Sequence, residues 1–343
     1  MRKLSLMHIP ITQIDVPSYV QSLYTGIPRN KDLHRQITNS CNVTSKTLVI
    51  DWKGNCFVCP CEAWLPVCVG NISDFDTLDA VWQSDTAKLL QQDINSKKFS
   101  HCAVDRCGVL HKDVYFDEYY VSINIDESCN LKCPSCRTDL KMLKKGPDFE
   151  DKLSKVNHII GLLENFDKPI QVVMTGNGDP LASNIMRPLI HNYRPGKNQR
   201  IRLFTNGLLI NKHMSKSSIA ANVDQYFISI DAGSKEVYEK VRLGGKFANL
   251  LENFDYLRDF VKDHPAEVLL KFVLQKDNYL DMQNFIDLAD HYEFNCVINR
   301  LEDWGTWDNF GEYDVIGNDT HPEHHAAIAE LKKIYSLYQG KDP

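Results

Sequence analysis

Cys129-Asn130-Leu131-Lys132-Cys133-Pro134-Ser135-Cys136 sets three cysteines in the spacing C-x3-C-x2-C. They follow directly on an apolar, β-branched run, Tyr119 to Ile125, whose pattern predicts a strand. A strand end that empties into a cysteine-rich loop suits a metal, because the strand is rigid and the loop can wrap. The count is informative. A zinc site or an ordinary iron–sulfur cluster takes four protein ligands. Three thiolates on a four-iron cluster leave one iron free to bind something else. Half of a zinc site, completed from elsewhere, is the competing reading of the same residues.

Working outward, the other cysteines are also grouped. Of the eleven, seven lie between Cys41 and Cys107, and Cys296 stands alone in an apolar run, where a small core residue fits. Cytosolic thiols are kept reduced, so clustering favours metal or iron–sulfur ligation over disulfides. A chain of 343 residues, 43% hydrophobic, can build one large domain and a small one. The net charge of −6, from 39 basic and 45 acidic residues without a basic block, argues against nucleic acid. Pro10, Gln13 and Asp15 break the apolar core a signal peptide needs, and no apolar run approaches the ~20 residues of a membrane span. The expected location is the cytoplasm, with no membrane partner.

Residues 1–40 read as a lead-in without a usable motif. Between Cys41 and Cys107, Thr47–Trp52 predicts a strand, Lys53-Gly54-Asn55 a turn, and Leu78–Leu90 a helix capped by Asp76 or Thr77. So small a segment has a thin core, and a bound metal centre would hold it together. From Glu118 onward, strand and helix patterns alternate. Strands are predicted at Tyr119–Ile125, Gln171–Met174, Arg200–Phe204, Tyr226–Ile230, Val268–Leu274 and Cys296–Asn299, with helices between them. This alternation predicts an α/β fold with a parallel sheet and right-handed crossovers. Six units are too few for a closed eight-stranded barrel. An acidic loop and a last helix near Pro322–Tyr338, capped by Thr320, end the chain.

The cysteine spacing after the first strand resembles the signature of the radical S-adenosylmethionine (radical SAM) enzymes. That resemblance implies a partial (β/α)6 TIM-like barrel over residues 113–303, followed by a loop and helix over 304–343. It implies a [4Fe–4S] cluster on Cys129, Cys133 and Cys136, whose open iron binds SAM. The second strand end, Thr175-Gly176-Asn177-Gly178-Asp179-Pro180, resembles the family's GGEP motif, with Asn177 for a glycine and Asp179 for glutamate. The resemblance assigns Gly176, Asn177, Gly178 and Asp179 to the SAM ammonium. It assigns Asn206, Ser229 and Asp231 to the ribose or carboxylate, and Arg242 to the carboxylate. Ser135 departs from the pattern, because many members carry an aromatic there.

Residues 41–112 resemble the SPASM module, an auxiliary iron–sulfur domain, placed here before the catalytic domain instead of after it. That likeness implies one auxiliary [4Fe–4S] cluster on Cys41, Cys59, Cys102 and Cys107, with Cys56, Cys61 and Cys68 as spare candidates. The expected activity is reductive cleavage of SAM to a 5′-deoxyadenosyl radical that takes hydrogen from a substrate. A peptide or protein is the favoured substrate, and a sugar or other small molecule the alternative. Flavodoxin or ferredoxin is the expected electron donor. A non-catalytic zinc-binding module is the rival from another class. His321, His324 and His325 read as a solvated helix start.

Overall fold

The computed structural model describes residues 4–5, 41–60, 64–104, 107, 116–176, 178–303 and 307–338. In chain order its strands and α-helices are β1 (Leu4–Ser5), β2 (Thr47–Ile50), β3 (Asn55–Phe57), β4 (Cys68–Asn71), α1 (Leu78–Trp82), α2 (Asp85–Asn95), β5 (Tyr119–Ile123), α3 (Pro147–Glu164), β6 (Ile170–Met174), α4 (Arg187–His191), β7 (Gln199–Thr205), α5 (Ile210–Met214), β8 (Val223–Ser229), α6 (Lys235–Val241), α7 (Phe247–Asp263), β9 (Glu267–Leu274), α8 (Met282–Tyr292), β10 (Asn295–Arg300) and α9 (His324–Tyr338).

The ten strands among the described residues share one sheet, ordered β1-β10-β9-β8-β7-β6-β5-β2-β3-β4. From β5 to β10, each strand pairs in parallel with the next one in the chain. A doubly wound sheet reverses its order at a switch point. From β5 to β10 the order never reverses, so right-handed crossovers send the connecting helices to one face. The six-unit α/β partial barrel expected from the sequence is therefore present.

Burial separates the two faces. On β7, Gln199, Ile201, Leu203 and Thr205 are buried, whereas Arg200, Arg202 and Phe204 are not. β9 repeats the alternation, with Val268, Leu270, Phe272 and Leu274 buried against the helices. There α7 presents Leu250, Phe254 and Leu257 at helical spacing. Each such side chain contributes roughly 1.5–3 kcal/mol by leaving water. On β7 and β9 the opposite residues form the inner wall of the barrel.

The amino-terminal segment joins this sheet. β2 pairs in parallel with β5, from Thr47↔Tyr120 to Ile50↔Ile123, and β3 and β4 fold back antiparallel. The β2–β3 turn is built by Asp51, whose Oδ1 accepts from Lys53 N and Asn55 N, both at 2.8 Å, with Gly54 at φ +86°. Asn71 caps the following 3-10 turn in a reciprocal pair with Asp74, and its Nδ2 donates to Lys53 O at 3.1 Å.

Three local expectations change. The helix predicted over Leu78–Leu90 is two helices, because the Ser84 hydroxyl accepts from Ala87 N and starts α2 afresh. The helix expected between the second and third strands is confined to α4, because Ser183 Oγ accepts from Ile185 N and Met186 N and holds a non-helical turn before it. Thr320 does not cap α9. Its hydroxyl donates to Asn318 Oδ1 at 2.7 Å.

Candidate active site

The strand ends of β5 to β8 converge on one cavity of about 620 Å³. Cys129, Cys133 and Cys136 line it, together with Gly176, Gly178 and Asp179 after β6, Asn206 after β7, and Ser229, Asp231 and Arg242 around the end of β8. Asn177 lies outside the described residues. Loops at the carboxyl ends of parallel strands are where such barrels work.

The cysteine loop is tied down along its length. Cys129 N donates to Lys141 O at 2.9 Å, and Lys132 N donates to Leu243 O at 3.0 Å. Cys136 N and Arg137 N both donate to Cys133 O, forming a tight turn. Cys129 and Cys133 are buried and Cys136 is exposed. Each sulfur has an N–H neighbour. Leu131 N stands 3.4 Å and Asn206 Nδ2 3.8 Å from Cys129 Sγ. Arg242 NH1 stands 3.7 Å from Cys133 Sγ, and Arg137 NH2 3.7 Å from Cys136 Sγ. Burial pushes the Cys129 thiol up to about 11, and burial also raises Cys133 against the opposing pull of Arg242. Among the described residues, no three His, Cys, Asp or Glu side chains stand close enough to hold a single ion.

The acidic residues divide by role. Asp179 is buried, and its Oδ1 accepts from Leu181 N and Ala182 N. Its Oδ2 accepts from Thr205 Oγ1 at 2.9 Å and Asn206 N at 2.7 Å. Four donors fill the acceptor positions of one carboxylate. Asp179 therefore fastens the ends of β6 and β7 together, and the direct reach to SAM expected from the sequence has no oxygen to spare. Burial raises its pKa, against those four bonds.

Asp231 sits at φ +55°, a conformation that costs a non-glycine residue roughly 1–2 kcal/mol. Two bonds hold it there: Val273 N donates to its Oδ1 at 2.8 Å, and Asn278 Nδ2 donates to its carbonyl at 2.9 Å. Its Oδ2 pairs with Arg242 NH2 at 2.7 Å, with both side chains almost fully enclosed. Burial alone would lower the Arg242 pKa, but Asp231 and Cys133 beside it raise it. Arg242 Nε is enclosed without a partner among the described residues. Two residues expected to meet SAM separately are thus joined to each other, and Arg242 is joined to the cysteine loop.

The glycines make close approaches, but to the protein's own backbone. A Cβ on Gly178 would lie 2.3 Å from Ser128 O, and one on Gly176, at φ +147°, would lie 3.1 Å from Asp126 O. Arg137, Thr205, Phe204 and Val273 also line the cavity and were not singled out by sequence. Arg137 adjoins the third cysteine. Phe204 and Val273 are inner-wall residues near strand ends, and only the strand register marks them.

In the amino-terminal segment, Cys41, Cys59, Cys102 and Cys107 line a second, small cavity. Val43, Leu65, Ile94 and Phe99 complete a mostly apolar wall. Burial raises Cys41 and pushes Cys102 up to about 12. Cys56 and Cys68 lie apart from this cavity, on β3 and at the start of β4, and Cys61 is outside the described residues. Cys296 is buried in β10, and burial pushes it up to about 12. His321 and His324 hydrogen-bond backbone carbonyls of Glu312 and Val315.

Residues 123–289 match the family model described as the Radical SAM superfamily, and residues 41–108 match SPASM, an iron-sulfur cluster-binding domain. The chain carries a radical SAM domain, with a SPASM domain ahead of it. It is similar to the GTP 3′,8-cyclase of Limosilactobacillus fermentum (strain NBRC 3956 / LMG 18251), at 28% identity over 55% of this chain and 59% of the relative. It is also similar to mycofactocin maturase MftC of Mycobacterium ulcerans (strain Agy99), at 26% identity over 62% of this chain and 53% of the relative. The chain thus spans little more than half the length of these curated relatives. Among solved structures, Streptococcus suis SuiB bound to precursor peptide SuiA aligns at TM-score 0.42 and 11% identity, covering 87% of this chain and 70% of that one.

A radical SAM domain carries a [4Fe–4S] cluster and SAM, and a SPASM domain carries auxiliary iron–sulfur clusters. The donor set fits such a group: cysteine thiols, each with an N–H neighbour, are what an iron–sulfur cluster takes as ligands and tuning partners. No helix among the described residues is long and apolar enough to cross a membrane.

Proposed function

We propose that this radical SAM protein cleaves SAM reductively and directs the resulting radical at a substrate held in the barrel. The observation that carries the reading is the shared cavity, into which the three cysteines and the ends of β6, β7 and β8 all open. Cys129, Cys133 and Cys136 would hold the cluster, which would supply the one electron needed to cleave SAM into methionine and a radical able to take hydrogen from the substrate.

The chain's own residues bind, orient and exclude water. Leu131 N, Asn206, Arg137 and Arg242 donate toward the sulfurs and offset thiolate charge, which sets cluster potential. Backbone around Gly176 to Gly178 receives the ammonium group of SAM, and Asn206, Ser229 and the Asp231–Arg242 pair receive its ribose and carboxylate. Asp179 acts as a positioning residue for Asn206. Cys41, Cys59, Cys102 and Cys107 would hold one auxiliary [4Fe–4S] cluster, which would supply an electron acceptor or a contact for the substrate. The electron donor is a flavodoxin or ferredoxin, and the protein works in the cytoplasm.

The favoured substrate is a peptide or protein, the class that SPASM relatives modify. The GTP 3′,8-cyclase relatives support a second reading, in which the substrate is a small molecule. Anaerobic protein should be incubated with SAM, reductant and deuterium-labelled cell extract, and the 5′-deoxyadenosine weighed by mass spectrometry. Deuterium arriving from the peptide fraction supports the first reading, and from the small-molecule fraction the second. A colourless protein with stoichiometric zinc and no 5′-deoxyadenosine overturns both.

A further inference from the structure

Most charged groups on the inner wall of the barrel have partners. Arg200 pairs with Glu118 and Asp224, and Glu267 accepts from Gln225 and Asn295. Lys271 is different. It stands on β9 in register with Ser229 and Val297, so it projects into the barrel just below the cavity mouth. Its ammonium lies 5.5 Å from the centre of the Phe204 ring, and among the described residues it has no hydrogen bond or ion pair. Burial depresses its pKa, and the carboxylates that partly restore it are not in contact: Asp231 is committed to Arg242, and Glu302 is exposed. On the neighbouring strand, Asn299 sits in register with Val273, which lines the cavity. Its Nδ2 is enclosed without an acceptor among the described residues. Lower on the same wall, Arg202 Nε is also enclosed without a partner among the described residues.

Enclosed donors without acceptors are costly, and a half-buried cation without an anion adds to that cost. A fold tolerates them where a ligand completes them. We propose that Lys271 and Asn299 form an anion subsite that takes a carboxylate or phosphate of the molecule on which the enzyme acts. This rests on the reading that the cavity above holds SAM. The anion fixes the substrate on the β9–β10 side, facing the cysteine loop across the barrel. Either substrate class can carry such a group, as an acidic side chain or chain terminus, or as a phosphate ester. SAM's own carboxylate is the other source of the same chemistry.

The test uses full-length, cluster-reconstituted protein with lysines reductively methylated by 13C-formaldehyde. The Lys271 resonance is assigned by its disappearance in K271R. Inorganic phosphate and acetate are titrated with and without SAM. The expected result is a saturable shift of that resonance by either anion, unaffected by SAM, and at least ~10-fold weaker in N299D. N299L, neutral and similar in volume, replaces N299D if the latter does not fold. No saturable shift, or equal affinity in the Asn299 variants, overturns the subsite. A shift abolished by SAM assigns the donors to SAM's carboxylate and overturns the substrate assignment. Formation of 5′-deoxyadenosine by the same preparation reports separately on whether SAM is cleaved at all.

Discussion

At Gly178 an added Cβ would stand 2.3 Å from Ser128 O and 2.7 Å from Glu127 C. Both are backbone atoms of the loop that enters Cys129, so neither can move without moving the cysteine. Gly178→Ala is expected to lower stability by about 1–3 kcal/mol, in line with other overpacked sites, and to weaken SAM binding. Urea unfolding and equilibrium dialysis of SAM measure the two effects, and wild-type values in both would contradict this account. The sequence makes these glycines legible as a close backbone approach, but not their partner, because Ser128 and Gly178 are far apart in the chain. The acidic residues teach the same lesson. Asp179 and Asp231 look alike as polar groups after strands. Only the fold reveals that four donors saturate one and that Arg242 and Val273 N engage the other. Arg137 was readable as the neighbour of Cys136, but no spacing rule marked it as a donor to that sulfur.

Among the elements, α4 and α5 meet through a histidine pair that neither pattern announced. His191 Nε2 lies 3.1 Å from His213 Nδ1. Burial, then His191, Arg187 and Lys212, lower the His213 pKa from 6.5 to about 4. The fold therefore prefers the neutral ring, and the unfolded chain binds the extra proton between those values. That contribution to stability is complete above the ordinary histidine value and is lost as pH falls toward 4. Between about pH 7.5 and about pH 5, wild-type protein should lose more stability than His213→Gln, as read by urea midpoints. Equal losses would contradict the assignment. The cysteine-bearing turns of the amino-terminal segment give a second test at this scale. Cys59 lines the small cavity, whereas Cys68 lies exposed at the start of β4. Cys59→Ser should lower bound iron by about one cluster's worth per chain, and Cys68→Ser should leave iron content unchanged. Equal iron in the two variants would count against the assignment. Spacing alone could not make this division, because β3 and β4 separate Cys56 and Cys68 from the others only when the hairpins form.

For the whole molecule, the strand–helix alternation after Glu118 made six units readable, and the structure orders them without reversal. The sequence could not show that β2 extends the same sheet, because its pairing with β5 joins residues that are remote in the chain and lack any local signal. That pairing makes the cysteine-rich segment and the barrel one continuous sheet, so losing one centre should be felt by the strands that carry the other. What the whole arrangement depends on is that Cys129, Cys133 and Cys136 hold a four-iron cluster with one corner open. The most direct measurement is electron paramagnetic resonance of the anaerobic, dithionite-reduced protein before and after adding SAM. The account predicts that one [4Fe–4S] signal changes its g values and line shape on SAM addition, and that this signal is missing from Cys133→Ala. Cluster signals that saturating SAM leaves untouched would contradict it.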